Sequence, residues 1–124
     1  ADDIGKYHSY TTSLSLLLEL LFRESETLPK EYFDEIEVLI GKLASYELSA
    51  ALLQKLFRFY GIVGRYDVAE NVLFELVQKD PECIAEGVKF YEGLRTKSNE
   101  ELERGNLTRN EIESGLAELL RKTT

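Results

Sequence analysis

Apolar residues recur along this chain at spacings of three and four, and no stretch alternates with a period of two between turn residues. That pattern predicts an all-α protein. The first helix is expected from Asp2 or Asp3 to about Arg23, with Ile4, Tyr7, Thr11, Leu14, Leu18 and Leu21 on one face. Leu16, Leu17 and Leu20 widen this face beyond what one neighbouring helix usually covers. A short acidic linker, Glu24 to Thr27, leads to Pro29, which suits a first helical position because its missing N–H would have no partner there. Helix two follows, with Tyr32, Phe33, Ile36, Leu39, Ile40 and Leu43 as its apolar side. Helix three, from about Leu48 to Val63, is apolar almost all round and leaves Gln54, Lys55, Arg58 and Gly61 as a narrow polar stripe. Such a helix belongs in the middle of a bundle.

The punctuation between these stretches is explicit. Gly64 ends helix three, since glycine adopts a left-handed cap without a Cβ penalty, and helix four should run from about Tyr66 to Lys79. Asp80 and Pro81 form an N-cap and first-turn pair that starts helix five, expected to reach about Arg95. Ser98 with Glu101, and Thr108 with Glu111, each place a hydroxyl three residues before a carboxylate, the reciprocal capping box. Gly105 is read as closing the sixth helix. The seventh, about Arg109 to Lys122, buries Ile112, Leu116 and Leu119. The expectation is a compact antiparallel array of six to seven helices forming a single domain over residues 1–124, with residues 98–122 as its closing helices.

Within residues 50–83, Leu53, Leu56, Tyr60, Gly64, Tyr66, Ala69, Leu73 and Pro81 stand in order, and on these positions the segment resembles the tetratricopeptide repeat family. The resemblance implies an α–α superhelix. In that family Leu53, Leu56 and Tyr60 would occupy the interhelical seam, Ala69 the point where two axes come closest, and Pro81 the break toward the next helix pair. Phe57 and Leu76 stand where the family commonly has small residues, so wider local packing is expected. The final segment, Phe90–Leu94 followed by S-x-x-E-L and R-x-E-I-x-x-G-L, looks like that of small uncharacterised bacterial proteins of this type.

Composition narrows the function. The 124 residues carry 15 Lys and Arg against 23 Asp and Glu, a net charge of -8, which disfavours nonspecific attraction to nucleic acid or anionic lipid. A single cysteine, Cys83, excludes an intrachain disulfide framework and fits a reducing compartment, with cytoplasm as the expected location. The longest unbroken apolar run near the start, Leu16–Leu18, is stopped by Glu19, so neither a signal-peptide core nor a membrane span is expected. Met is absent, so an initiator preceded Ala1 or the segment was cut from something longer.

The inventory for chemistry is thin. His8 is the one histidine, which leaves no two-His metal site, and no Gly-rich phosphate loop is present. No catalytic residue, metal site or cofactor is assigned. Cys83 near a helix start, where the dipole lowers a thiol pKa, and carboxylate clusters such as Glu100, Glu101 and Glu103 supply only a weakly founded enzyme alternative. Helices six and seven superficially resemble a DNA-binding pair, but Glu111 and Glu113 occupy the turns that would read bases.

Two surfaces hint at binding. From Leu48 to Tyr66 there are 19 residues without Asp or Glu, while Lys55, Arg58 and Arg65 are present. The repeat resemblance implies that Gln54, Lys55 and Arg58, with Arg65 nearby, meet a peptide or protein partner, acidic in character, in a helical groove. The apolar excess of Leu16, Leu17 and Leu20 offers the other surface, for self-association into a homodimer. The expected function is therefore a non-catalytic protein–protein interaction module, with a homodimeric structural or regulatory protein as the alternative.

Overall fold

The computed structural model describes residues 2–24 and 29–122, with the side chains of the first two of these left aside. The described residues form seven α-helices and no strand: α1 (Asp2–Glu24), α2 (Lys30–Lys42), α3 (Ala50–Ile62), α4 (Tyr66–Lys79), α5 (Ile84–Arg95), α6 (Asn99–Arg104) and α7 (Arg109–Arg121). A 3-10 turn at Pro81–Cys83 precedes α5. The protein is all-α. Beyond Glu24, the expected acidic linker lies outside the described residues. Close backbone contacts group the chain into two compact units, Ala1–Lys55 and Leu56–Thr124, and the division falls inside α3.

In the first unit α1 and α2 lie against each other. Leu14, Leu18 and Leu21 of α1 are buried, as are Ile36, Leu39 and Leu43 at the matching three–four spacing of α2 and its cap. Burying each such side chain contributes roughly 1.5–3 kcal/mol relative to exposure, so this stripe dominates the pair. At one end Tyr7 and Tyr46 stack at 5.3 Å between ring centroids, and the Tyr7 hydroxyl donates to the Glu47 carbonyl at 3.2 Å. Lys42 Nζ lies 5.2 Å from the centre of the Tyr10 ring, an additional cation–π tie between the helices.

The second unit is built on the close approach of α5 and α7. A Cβ on Gly115 of α7 would fall 2.3 Å from the Tyr91 hydroxyl, and one on Gly87 of α5 would fall 2.6 Å from Leu119 Cδ1. Each helix thus presents hydrogen where the other presents bulk. Ile84, Tyr91 and Leu94 of α5 and Ile112, Leu116 and Leu119 of α7 are buried. Phe57 of α3 meets Phe90 of α5 edge-on at 5.0 Å, which gives this large side chain a place that a small residue would leave empty.

The caps follow the sequence with instructive differences. Both capping boxes are formed, Ser98 with Glu101 and Thr108 with Glu111. Gly64 has φ +80°, and the Arg65 amide donates to the Tyr60 carbonyl while the Gly64 amide donates to that of Gly61, a Schellman closure. Pro29 caps α2 from outside rather than entering it, and α3 starts two residues later than expected because the Ser49 hydroxyl accepts from the Leu52 amide at 3.2 Å. Asp80 caps through the Glu82 amide, but Pro81–Cys83 winds as a 3-10 turn before α5. Gly105 closes α6 as its C-cap, as expected, and the left-handed residue follows it at Asn106 (φ 57°). Gly105 is required for another reason: a Cβ there would stand 2.2 Å from Tyr66 Cδ2 and 2.9 Å from the Gly64 carbonyl oxygen. The turn after α6 therefore seats directly on the turn between α3 and α4, tied by the Asp67 amide to the Gly105 carbonyl (3.1 Å) and by Asn106 Nδ2 to Asp67 Oδ2 (3.0 Å).

Candidate partner-binding site

The first unit carries a groove of about 400 Å³ alongside α1 and the first turns of α3, lined by residues that include Tyr7, His8, Thr11, Ser15, Leu16, Glu19, Leu52 and Lys55. Thr11, Ser15 and Glu19 fall four apart on α1 and so share one side of it. Opposite them, Lys55 donates to Ser15 Oγ at 2.5 Å and to Glu19 Oε1 at 2.9 Å. The hydrogen bond from Lys55, and then its charge, hold the Glu19 carboxyl below the ordinary carboxylate range. Lys55 thus ties a hydroxyl and a carboxylate of α1 to α3 across the groove.

Of the residues singled out for partner binding, Gln54 and Lys55 belong to the first unit, and Arg58 and Arg65 to the second. Gln54 is half-buried and makes contacts of its own, as does exposed Arg58. Arg65 is exposed and lies 3.8 Å from Asp67 through its Nε. The leucines of α1 divide as well. Leu16 is 63% exposed and forms part of the groove wall, whereas Leu17 and Leu20 are half-buried. The apolar excess read along α1 therefore reduces at the surface chiefly to Leu16, with Ile4 exposed three turns earlier. A second, more apolar hollow of about 350 Å³ adjoins Tyr7, between Ile4, Tyr46 and Glu47.

Ser15, Thr11 and Glu19 were not legible as site residues, because a polar row on a long amphipathic helix reads as its hydrated side. The four-residue spacing toward an acid was the available signal. Only the packing of α3 shows that Lys55 answers it.

Cys83 is buried, with its Sγ 3.6 Å from Asp80 Oδ2. Burial first, and then the Asp80 carboxylate, push its thiol up to about 11, the reverse of the dipole-lowered thiol expected from its position. His8 lies in the first unit and Cys83 in the second. Glu100 and Glu103 are exposed, and Glu101 is engaged in its capping box. No group of three or more His, Cys, Asp or Glu suited to a metal ion occurs among the described residues. No described helix is long and apolar enough to cross a membrane.

In the second unit, Glu70, Glu111 and Glu118 line a crevice with Phe74, Asn110 and Ser114. Of these, Glu70 accepts through Oε2 from the Tyr91 hydroxyl at 2.6 Å. Burial raises the Glu70 carboxyl, Tyr91 opposes this, and the charges of Glu111 and Glu118 add to the rise.

No curated protein and no solved structure matches this sequence. A family model matches residues 11–124, nearly the full length, and by that match the chain belongs to the family of unknown function DUF6483.

Proposed function

We propose that this member of DUF6483 is a non-catalytic protein–protein interaction module whose first-unit groove takes a peptide segment of a partner. The observation that carries the reading is the groove itself: an exposed aliphatic wall at Leu16 beside a row of fixed donors and acceptors at Thr11, Ser15, Glu19 and Lys55. Apolar contact with a few placed polar groups is the general recipe for holding a peptide against helices. A tetratricopeptide-like identity for residues 50–83 is part of the proposal. It is supported by the α3–Gly64–α4 pair, the burial of Leu53, Leu56, Tyr60, Ala69 and Leu73, and the break at Pro81. A cytoplasmic setting accords with one buried cysteine and the acidic composition.

The test is partner capture with the intact chain and two single variants, Leu16→Glu and Lys55→Glu, chosen at surface-accessible positions. Capture should fall at least tenfold in each while circular dichroism and melting stay close to the parent. Undiminished capture by both variants would remove the groove from the proposal.

The exposure of Leu16 also favours a second reading, homodimerisation through α1. Sedimentation distinguishes them: a dimer that Leu16→Glu dissociates supports self-association, and a monomer at high concentration ends it.

A further inference from the structure

A different surface stands out in the second unit. Val63, Gly64, Arg65, Tyr66, Glu101 and Arg104 line a pocket of about 230 Å³ where the α3–α4 turn meets the end of α6. Two arginines line it, Arg65 from the α3–α4 turn and Arg104 from the end of α6. Arg65 is shared with Asp67 at 3.8 Å, while Arg104 makes no hydrogen bond or ion pair with any described residue. The carboxylate in the lining, Glu101, is occupied: Oε1 takes the Ser98 amide and hydroxyl, and Oε2 faces Lys97 at 3.9 Å. Asp67 is likewise held, through Oδ2, by Asn106.

The backbone that carries the two arginines is fixed. Gly64 closes α3 in the left-handed conformation, Gly105 lies against the Tyr66 ring, and the Asp67 amide bonds the Gly105 carbonyl. Val63 of the lining and Ile62, the residue before it, are 38% and 50% exposed, two aliphatic side chains at the surface.

We infer that this pocket and its aliphatic ledge dock an acidic segment of a partner protein, with a side-chain carboxylate between Arg65 and Arg104 and a neighbouring apolar side chain on Ile62 and Val63. Charge complementarity selects the occupant. In a chain of net charge -8, most of the surface repels an acidic peptide, and here two arginines line one pocket on a firm support. Arginine's planar fork matches a carboxylate with two parallel hydrogen bonds, and the apolar ledge discriminates a peptide from a bare anion. The surface belongs to the second unit and shares no lining residue with the first-unit groove. Its test uses a defined peptide, so its failure leaves the capture result of the groove untouched, and the reverse holds as well.

The experiment is a titration of the full-length protein, observed by amide NMR, with an end-blocked peptide alternating leucine and glutamate. Matched arms use the same peptide with glutamine for glutamate, and inorganic phosphate alone. Shifts should concentrate at residues 62–66 and 101–105, weaken in 300 mM salt, and disappear with the glutamine peptide. Arg104→Gln should lower affinity at least tenfold, Arg104→Lys should lose less because it keeps the charge, and Ile62→Ser should weaken the peptide without changing the response to phosphate. These positions are exposed, so the fold is expected to persist and circular dichroism checks it. Absence of binding at millimolar peptide, unchanged affinity in Arg104→Gln, or phosphate binding as tightly as the peptide would each overturn the proposal.

Discussion

Glu70 shows how one residue makes stability depend on pH. Its carboxyl is raised, first by burial and further by Glu111 and Glu118 on α7, against the opposing hydrogen bond from Tyr91 on α5. A folded pKa above the unfolded one means that the native state holds the proton more tightly. Stability from this group is therefore full below the unfolded carboxylate range, near pH 4, and is lost as pH rises through the folded value. Glu70→Gln keeps an oxygen to accept from Tyr91 and removes the charge. The variant should melt above the parent at pH 7, and the difference should close as pH falls toward 4, as thermal melts across that range would show. A uniform difference at all pH values would place the effect in packing. None of this was legible in the sequence, where Glu70 is one acid among many. Its partner arrives from twenty-one residues away, admitted by the missing side chain of Gly115.

At the level of elements, much was legible because the signals are local. The capping hydroxyls of Ser98 and Thr108, the acids three residues after them, and the glycine at the left-handed end of α3 are decided within one turn of chain. Gly105 marks where local reading stopped. It does stop α6, as its C-cap, but its φ of −84° asks nothing special of glycine, and the requirement for glycine comes from Tyr66 across the joined turns. Gly105→Ala should accordingly destabilise the protein by about 1–3 kcal/mol, the usual cost of overpacking a closed contact. Urea unfolding measures it. Gly105→Ala combined with Tyr66→Leu should recover part of the loss if the ring is the obstacle, whereas a backbone-only effect would persist in the pair. The start of α3 makes the same point in a smaller way: Ser49, overlooked as a cap, sets where the helix begins.

For the molecule as a whole, the helical class was written in the period of its apolar residues, while its surfaces were not. The acid-free stretch from Leu48 to Tyr66 drew attention to Lys55 and Arg65, but its residues belong to two units and meet different neighbours. Lys55 faces Ser15 and Glu19, thirty-six or more positions earlier, and Arg65 shares a pocket with Arg104. Sequence proximity therefore grouped residues that the fold assigns to separate places. If both surfaces bind, their variants should act independently: Arg104→Gln should leave partner capture by the groove intact, and Leu16→Glu should leave the acidic-peptide titration unchanged. Loss of both activities in either single variant would point to one shared site or to global damage, which melting separates.

The buried phenol bonded to Glu70 has a practical consequence. The chain contains no Trp, so its intrinsic fluorescence is that of tyrosine alone. Tyr91 is fully buried, its hydroxyl is given to a carboxylate, and burial followed by that bond pushes its ionisation upward. Its phenolate is expected late in an alkaline titration, as the surrounding helices part. Among the seven tyrosines, the share of the alkaline difference spectrum that Tyr91→Phe removes should therefore report the opening of the α4, α5 and α7 cluster from inside the protein, without a dye.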